Sequence, residues 1–142
     1  MTTIAWDGKV LATDSQGNAG EYKSGEHIKK LYRNIGPFQA VAMAGQISLF
    51  PIVLEAFKDG CIEDIIPLDV TAVCIHLDGR AVHYDGAHGH FEKWKPKTAT
   101  GSGWALATAA MRGGADAAKA LRICCSLDMY SGGRVQKFVA KG

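Results

Sequence analysis

Two Asp-Gly dipeptides constrain what this chain can fold into more than any other feature. Asp7-Gly8 and Asp78-Gly79 each stand between two short apolar runs, and Asp-Gly in that setting is the strongest short-range signal for a tight β-hairpin. Residues 2–6 and 9–13 are therefore predicted to pair antiparallel, as are residues 71–77 and 80–84. Residues 29–33 and 38–44 make a further pair, joined through Asn34-Ile35-Gly36-Pro37, and 91–94 and 98–100 extend the sheet. Helical patterns lie between these runs. Leu49, Phe50, Val53, Leu54 and Phe57 recur at helical spacing and predict a helix over 48–58. Pro51 falls near its start, where a missing N–H is tolerated. Residues 103–111 are rich in alanine, which favours helix and close packing. Gly113-Gly114 interrupts that pattern, and Asp116 caps a second helix running to about residue 127. A last strand covers 134–140. The order strands, helix, strands, two helices, strand fits two antiparallel sheets covered by helices better than alternating βαβ units.

The chain has 142 residues, 47% of them apolar and 21% charged, which is the usage of one ordinary globular domain spanning 1–142. That composition excludes a disordered tail, a coiled coil or a collagen-like polymer. Sixteen basic against fourteen acidic residues leave a net charge of +2, too weak to argue for a nucleic-acid partner. The start Met1-Thr2-Thr3-Ile4-Ala5-Trp6-Asp7 lacks the basic and then apolar pattern of a signal peptide. No run approaches the roughly 18 apolar residues of a membrane span. Cys61, Cys74, Cys124 and Cys125 contain no CxxC spacing, so they are read as reduced thiols in a cytoplasmic protein. The stretch from His83 to His90 offers three histidines and Asp85, residue types that bind zinc or nickel. It also sits on a hairpin connection, where polar residues belong anyway, and no metal or cofactor is expected.

Catalytic chemistry is suggested first at the amino terminus. Thr2 stands directly behind Met1, and removal of Met1 would leave a hydroxyl and a free α-amino group on one residue. With a reference pKa of about 7.7–8.0, that amine can take the hydroxyl proton as the oxygen attacks a carbonyl. Downstream come Asp14 after the second strand, Lys30 in Ile28-Lys29-Lys30-Leu31-Tyr32, and Gly45 after an apolar run. Near the end lie Thr100-Gly101-Ser102-Gly103 and Asp128-Met129-Tyr130-Ser131-Gly132-Gly133. Taken singly, Asp14 reads as a turn acid, Lys30 as a solvated strand lysine and Asp128 with Ser131 as a helix end.

Taken together and in order, these motifs resemble the proteasome β-type subunits, nearest the bacterial HslV-type peptidases, among the amino-terminal-nucleophile hydrolases. The resemblance implies an α+β, four-layer αββα sandwich of two antiparallel sheets flanked by helices. It implies a threonine endopeptidase in which Thr2 is the nucleophile, Lys30 activates it, and Asp14 holds Lys30 charged and oriented. The Gly45 N–H would stabilise the oxyanion, and Ser102, Asp128 and Ser131 would fix the Thr2 amine. Ile28, Met43 and Ile47 would line the substrate side-chain pocket. Expected partners are a polypeptide substrate, further copies of the chain in a homo-oligomeric ring, and an unfoldase ATPase. Residues 59–67 are short where the family places a second long helix, so one helical layer is expected to be shortened. The alternative from a different class is a catalytically silent structural or binding subunit of the same fold, with Met1 retained.

Overall fold

The computed structural model describes residues 2–19, 22–25, 28–60 and 69–142. In chain order they form β1 (Thr3–Trp6), β2 (Val10–Thr13), β3 (Gly17–Ala19), β4 (Tyr22–Gly25), β5 (Leu31–Ile35), β6 (Phe38–Gly45), α1 (Phe50–Asp59), β7 (Val70–His76), β8 (Ala81–Asp85), β9 (His90–Lys93), β10 (Thr98–Gly101), α2 (Trp104–Arg112), α3 (Ala117–Leu127) and β11 (Gln136–Val139). One antiparallel sheet has the order β10-β1-β2-β11, a second β5-β6-β7-β8-β9, and β3 with β4 makes a two-stranded ribbon.

Both Asp-Gly hairpins form. β1 meets β2 with Ile4 opposite Thr13, and β7 meets β8 with Ile75 opposite Ala81. Asp7 does more than turn the chain. Its Oδ1 accepts the Lys9 and Val10 N–H groups at 2.8 and 2.7 Å, and its Oδ2 accepts the Ala117 N–H at 2.8 Å. One carboxylate thus fastens the first hairpin to the start of α3, where negative charge is favoured by the helix dipole. Asp116 caps the same helix, accepting the Lys119 N–H at 2.8 Å.

Alternation along the strands sorts side chains into three cores. From β6, Ala40, Ala42 and Ala44 join Ile4, Trp6, Leu11, Leu31, Val73 and Ile75 between the two sheets. Val41 and Met43, on the opposite face of β6, pack with Phe50, Val53 and Phe57 of α1. Ala5 and Ala12 of the other sheet pack against Ala107, Met111, Ala117, Ala120 and Leu121 of α2 and α3. The layer order is α1, five-stranded sheet, four-stranded sheet, α2 with α3, which is the αββα sandwich. Alanines across the last interface let two helices approach a sheet closely, whereas α1 fills its interface with two phenylalanines. Each such ring contributes about 1.5–3 kcal/mol by leaving water.

Helix 1 starts two residues later than expected, because residues Ile47–Leu49 form a 3₁₀ turn ahead of it. The ribbon β3–β4 is not among the expected strands, since Gly17-Asn18-Ala19 and Tyr22-Lys23-Ser24-Gly25 carry no apolar alternation. Among the described residues α1 covers the outer face of the five-stranded sheet; most of the segment expected to be short, with Cys61, lies outside them. No helix among the described residues is long and apolar enough to cross a membrane.

Candidate active site

The ends of β1 and β2 lie side by side, so Thr2, just before β1, neighbours Asp14-Ser15, just after β2. Thr2 is 6% exposed. Lys30 comes from the other sheet, immediately before β5, and buries its whole side chain to reach this point. Its Nζ donates to Asp14 Oδ1 at 2.9 Å and to the Gln16 carbonyl at 2.6 Å. The two side chains are 1% and 0% exposed. The far oxygen of Asp14 accepts the Gly132 and Gln16 N–H groups at 3.1 and 3.4 Å. Burial pushes the Asp14 carboxyl above its ordinary value, against the pull of Lys30 and these N–H donors. Burial likewise holds Lys30 below the ordinary lysine value, against the pull of Asp14. A lysine so placed gives up a proton more readily than one in water.

A second group is built where the chain enters α2 and where it leaves α3. Ser102 and Ser131 donate to Asp128 Oδ2 at 2.5 and 2.7 Å, and the Tyr130 N–H to Oδ1 at 3.2 Å. Burial works against the Asp128 charge, but these hydroxyls and the N–H outweigh it and hold the carboxyl below its ordinary value. With Ser131 donating to Asp128, the 2.8 Å contact between Ser131 and Thr3 has Thr3 Oγ1 as donor, and Thr3 in turn accepts the Gly103 N–H at 2.8 Å. The result is one directed chain from Gly103 through Thr3 and Ser131 to Asp128. Ser131-Gly132 joins the two groups, because Ser131 serves Asp128 while Gly132 serves Asp14. A surface cavity of about 580 Å³ opens beside it, lined by Cys125, Leu127, Asp128, Met129, Ser131 and Gly132 among others.

The structure thus brings together Asp14 with Lys30, and Ser102 with Asp128 and Ser131, on either side of Thr2-Thr3. Gly45 ends β6 at φ +112°, and a Cβ there would stand 2.3 Å from the Asp69 carbonyl, so only glycine fits. No hydrogen bond among the described residues ties it to Thr2 or Lys30. The three residues expected to line the substrate pocket differ in exposure. Ile28 is half-buried, and its N–H donates to the Ser15 carbonyl at 2.7 Å. Met43 is fully buried in the core beneath α1, and Ile47 is 38% exposed. Thr3 and Gln136 belong to the assembly and were not singled out from sequence; the partners of each lie a hundred residues or more away, which leaves no local signal. In the histidine stretch, His83 stacks on Trp94 with ring centres 5.5 Å apart, and His88 pairs with Asp85 at 2.8 Å. Among the described residues no three metal-binding side chains converge.

No protein-family model matches the sequence, and no curated protein matches it. Solved structures do. HslV from Trypanosoma brucei superposes with a TM-score of 0.69 at 21% identity, over 100% of both chains. The Thiobacillus denitrificans protein BPH superposes with TM-scores of 0.72 alone and 0.73 in its complex with epoxomicin, at 18% identity, over 99% of this chain and 97% of that one. With its layer order, sheet topology and this full-length superposition, the chain has the αββα sandwich fold of HslV and BPH.

Proposed function

We propose that this protein is a threonine peptidase whose nucleophile is Thr2 once Met1 is removed. The observation that carries the reading is the fully buried Lys30–Asp14 pair placed beside the start of β1. A buried ion pair is a weak stabiliser and is as often neutral as helpful to folding. Its place at the amino terminus is accounted for by chemistry there.

In this reading the Thr2 amine accepts the Thr2 hydroxyl proton as Oγ1 forms a bond to the scissile carbonyl carbon. The positive charge of Lys30 lowers the amine's affinity for protons and keeps it a free base near neutrality. The Gly45 N–H, ahead of the turn that opens α1, receives the oxyanion. The amine then returns its proton to the departing peptide nitrogen, leaving an ester on Thr2. Water, activated by the same amine, hydrolyses that ester. Asp128, held by Ser102 and Ser131, fixes the amine. Ile28 and Ile47 shape an apolar side-chain pocket, to which Met43, fully buried in the core beneath α1, presents no surface. Trp104, Leu127 and Met129 are 57%, 68% and 65% exposed, large apolar side chains suited to contacts between copies in a ring.

The test is intact mass before and after incubation with epoxomicin, the ligand carried by the Thiobacillus structure. We expect loss of one methionine, then one epoxomicin adduct that maps to Thr2 and is absent in Thr2→Ala. A chain that keeps Met1, or a Met-free chain that stays unmodified, would replace this reading with the silent subunit.

A further inference from the structure

The side chain of Gln136 makes four hydrogen bonds at the junction of the two sheets. Its Oε1 accepts the N–H groups of both Lys30 and Leu31 at 3.1 Å. Its Nε2 donates to the Ile28 carbonyl at 2.7 Å and to the Asp14 carbonyl at 3.4 Å. Gln136 opens β11, the edge strand of one sheet, opposite Thr13. Residues 28–31 lead into β5, the edge strand of the other. On its inner side the Lys30 segment is held by β6, through the Met43 N–H and the Lys30 carbonyl at 2.8 Å. On its outer side no strand among the described residues pairs with it, and one amide side chain does a strand's work.

We infer that Gln136 is a positioning residue for the nucleophile: it clamps the backbone of Lys30 against the end of β2 that carries Asp14. This rests on the peptidase reading above. The geometry suits a primary amide, since Gln or Asn presents an oxygen with two lone pairs and an NH2 with two donors from one planar group, and Asn is shorter by a methylene. Without the clamp, two N–H groups at an edge lose their acceptor, and the segment loosens toward water. Lys30 Nζ then samples positions away from Thr2, its charge acts less on the Thr2 amine, and that amine becomes easier to protonate. The chemistry is slowed while the substrate pocket is left in place.

The experiment compares epoxomicin modification of Thr2 across pH in wild type, Gln136→Met and Gln136→Glu, together with amide hydrogen exchange at Lys30 and Leu31. Methionine keeps the volume and loses the polar contacts; glutamate keeps the acceptor and loses the donor. In Gln136→Met we expect a maximal modification rate about 10- to 100-fold lower, as for other small misplacements of reacting groups. The half-saturating concentration should stay within about twofold, and the acid limb of the pH profile should move up by about half a unit or more. Gln136→Glu should fall between, and it carries the same comparison if the methionine variant does not fold. Exchange at Lys30 and Leu31 should quicken in both variants. A variant that is merely less stable, with unchanged rate, pH limb and exchange when folded, would overturn the inference. If wild type itself is never modified, the peptidase reading fails; the clamp is then judged by exchange alone, and unchanged protection at Lys30 and Leu31 overturns it too.

Discussion

Removing the two charges of the Lys30–Asp14 pair together should cost the fold clearly less than the sum of removing each alone. The pair has an N···O separation of 2.9 Å and side chains 1% and 0% exposed. At an effective dielectric near 20, Coulomb's law gives about 6 kcal/mol of attraction at that distance. Desolvating each ion costs several kcal/mol, so the net contribution of the intact pair is small. Burial already drags both groups toward neutrality with the partner present. Asp14→Asn leaves Lys30 with the Gln16 carbonyl, and Lys30→Met leaves Asp14 with two N–H donors. Each single variant should therefore lose about 3–5 kcal/mol, a fall in Tm of about 10–20 °C for a chain of this size. The double variant should recover at least about 2 kcal/mol of the summed loss. Urea unfolding at fixed protomer concentration measures all four corners of the cycle. Losses that add to within about 0.5 kcal/mol would show that the two groups do not act as a pair and would refute this reasoning.

Two further expectations follow from the same packing. The folded pKa of Lys30 lies below its ordinary 10.5, so between the two values the unfolded chain binds more protons and stability rises with pH. Urea midpoints measured upward to pH 10.5 should show that rise, and Lys30→Met should flatten it; an identical slope in both would contradict the depressed value. A Cβ at position 103 would stand 1.9 Å from Cys124 Sγ and 2.8 Å from Thr3 Oγ1. Gly103→Ala should cost about 1–3 kcal/mol by overpacking, and Cys124→Ala in the same chain should return part of it, since the thiol is the nearer obstacle. Thermal unfolding of both variants decides this.

Much of the fold was legible because its signals are local. Asp7-Gly8 and Asp78-Gly79 set two hairpins, and the spacing from Leu49 to Phe57 set α1, each through neighbours a few residues apart. The β3–β4 ribbon was not legible, because Gly17 and Gly25 pair without any apolar pattern to mark them. At the site, Asp14 and Lys30 stood out only as members of an ordered set of motifs. Their meeting, and the amide of Gln136 that spans them, involve residues separated by 16 and 106 positions.

By itself the sequence determined the helices and the strands of the two main sheets, that those strands run antiparallel, and which side chains have the right chemistry to share a site. Hydrophobic period and turn residues suffice for that, since each acts over a few residues. Only the tertiary structure decided that two sheet edges meet beside Thr2, burying a lysine and an aspartate completely and leaving one glutamine to hold the seam. Burial and long-range hydrogen bonds are properties of how layers stack, and no local pattern encodes which edges will face each other.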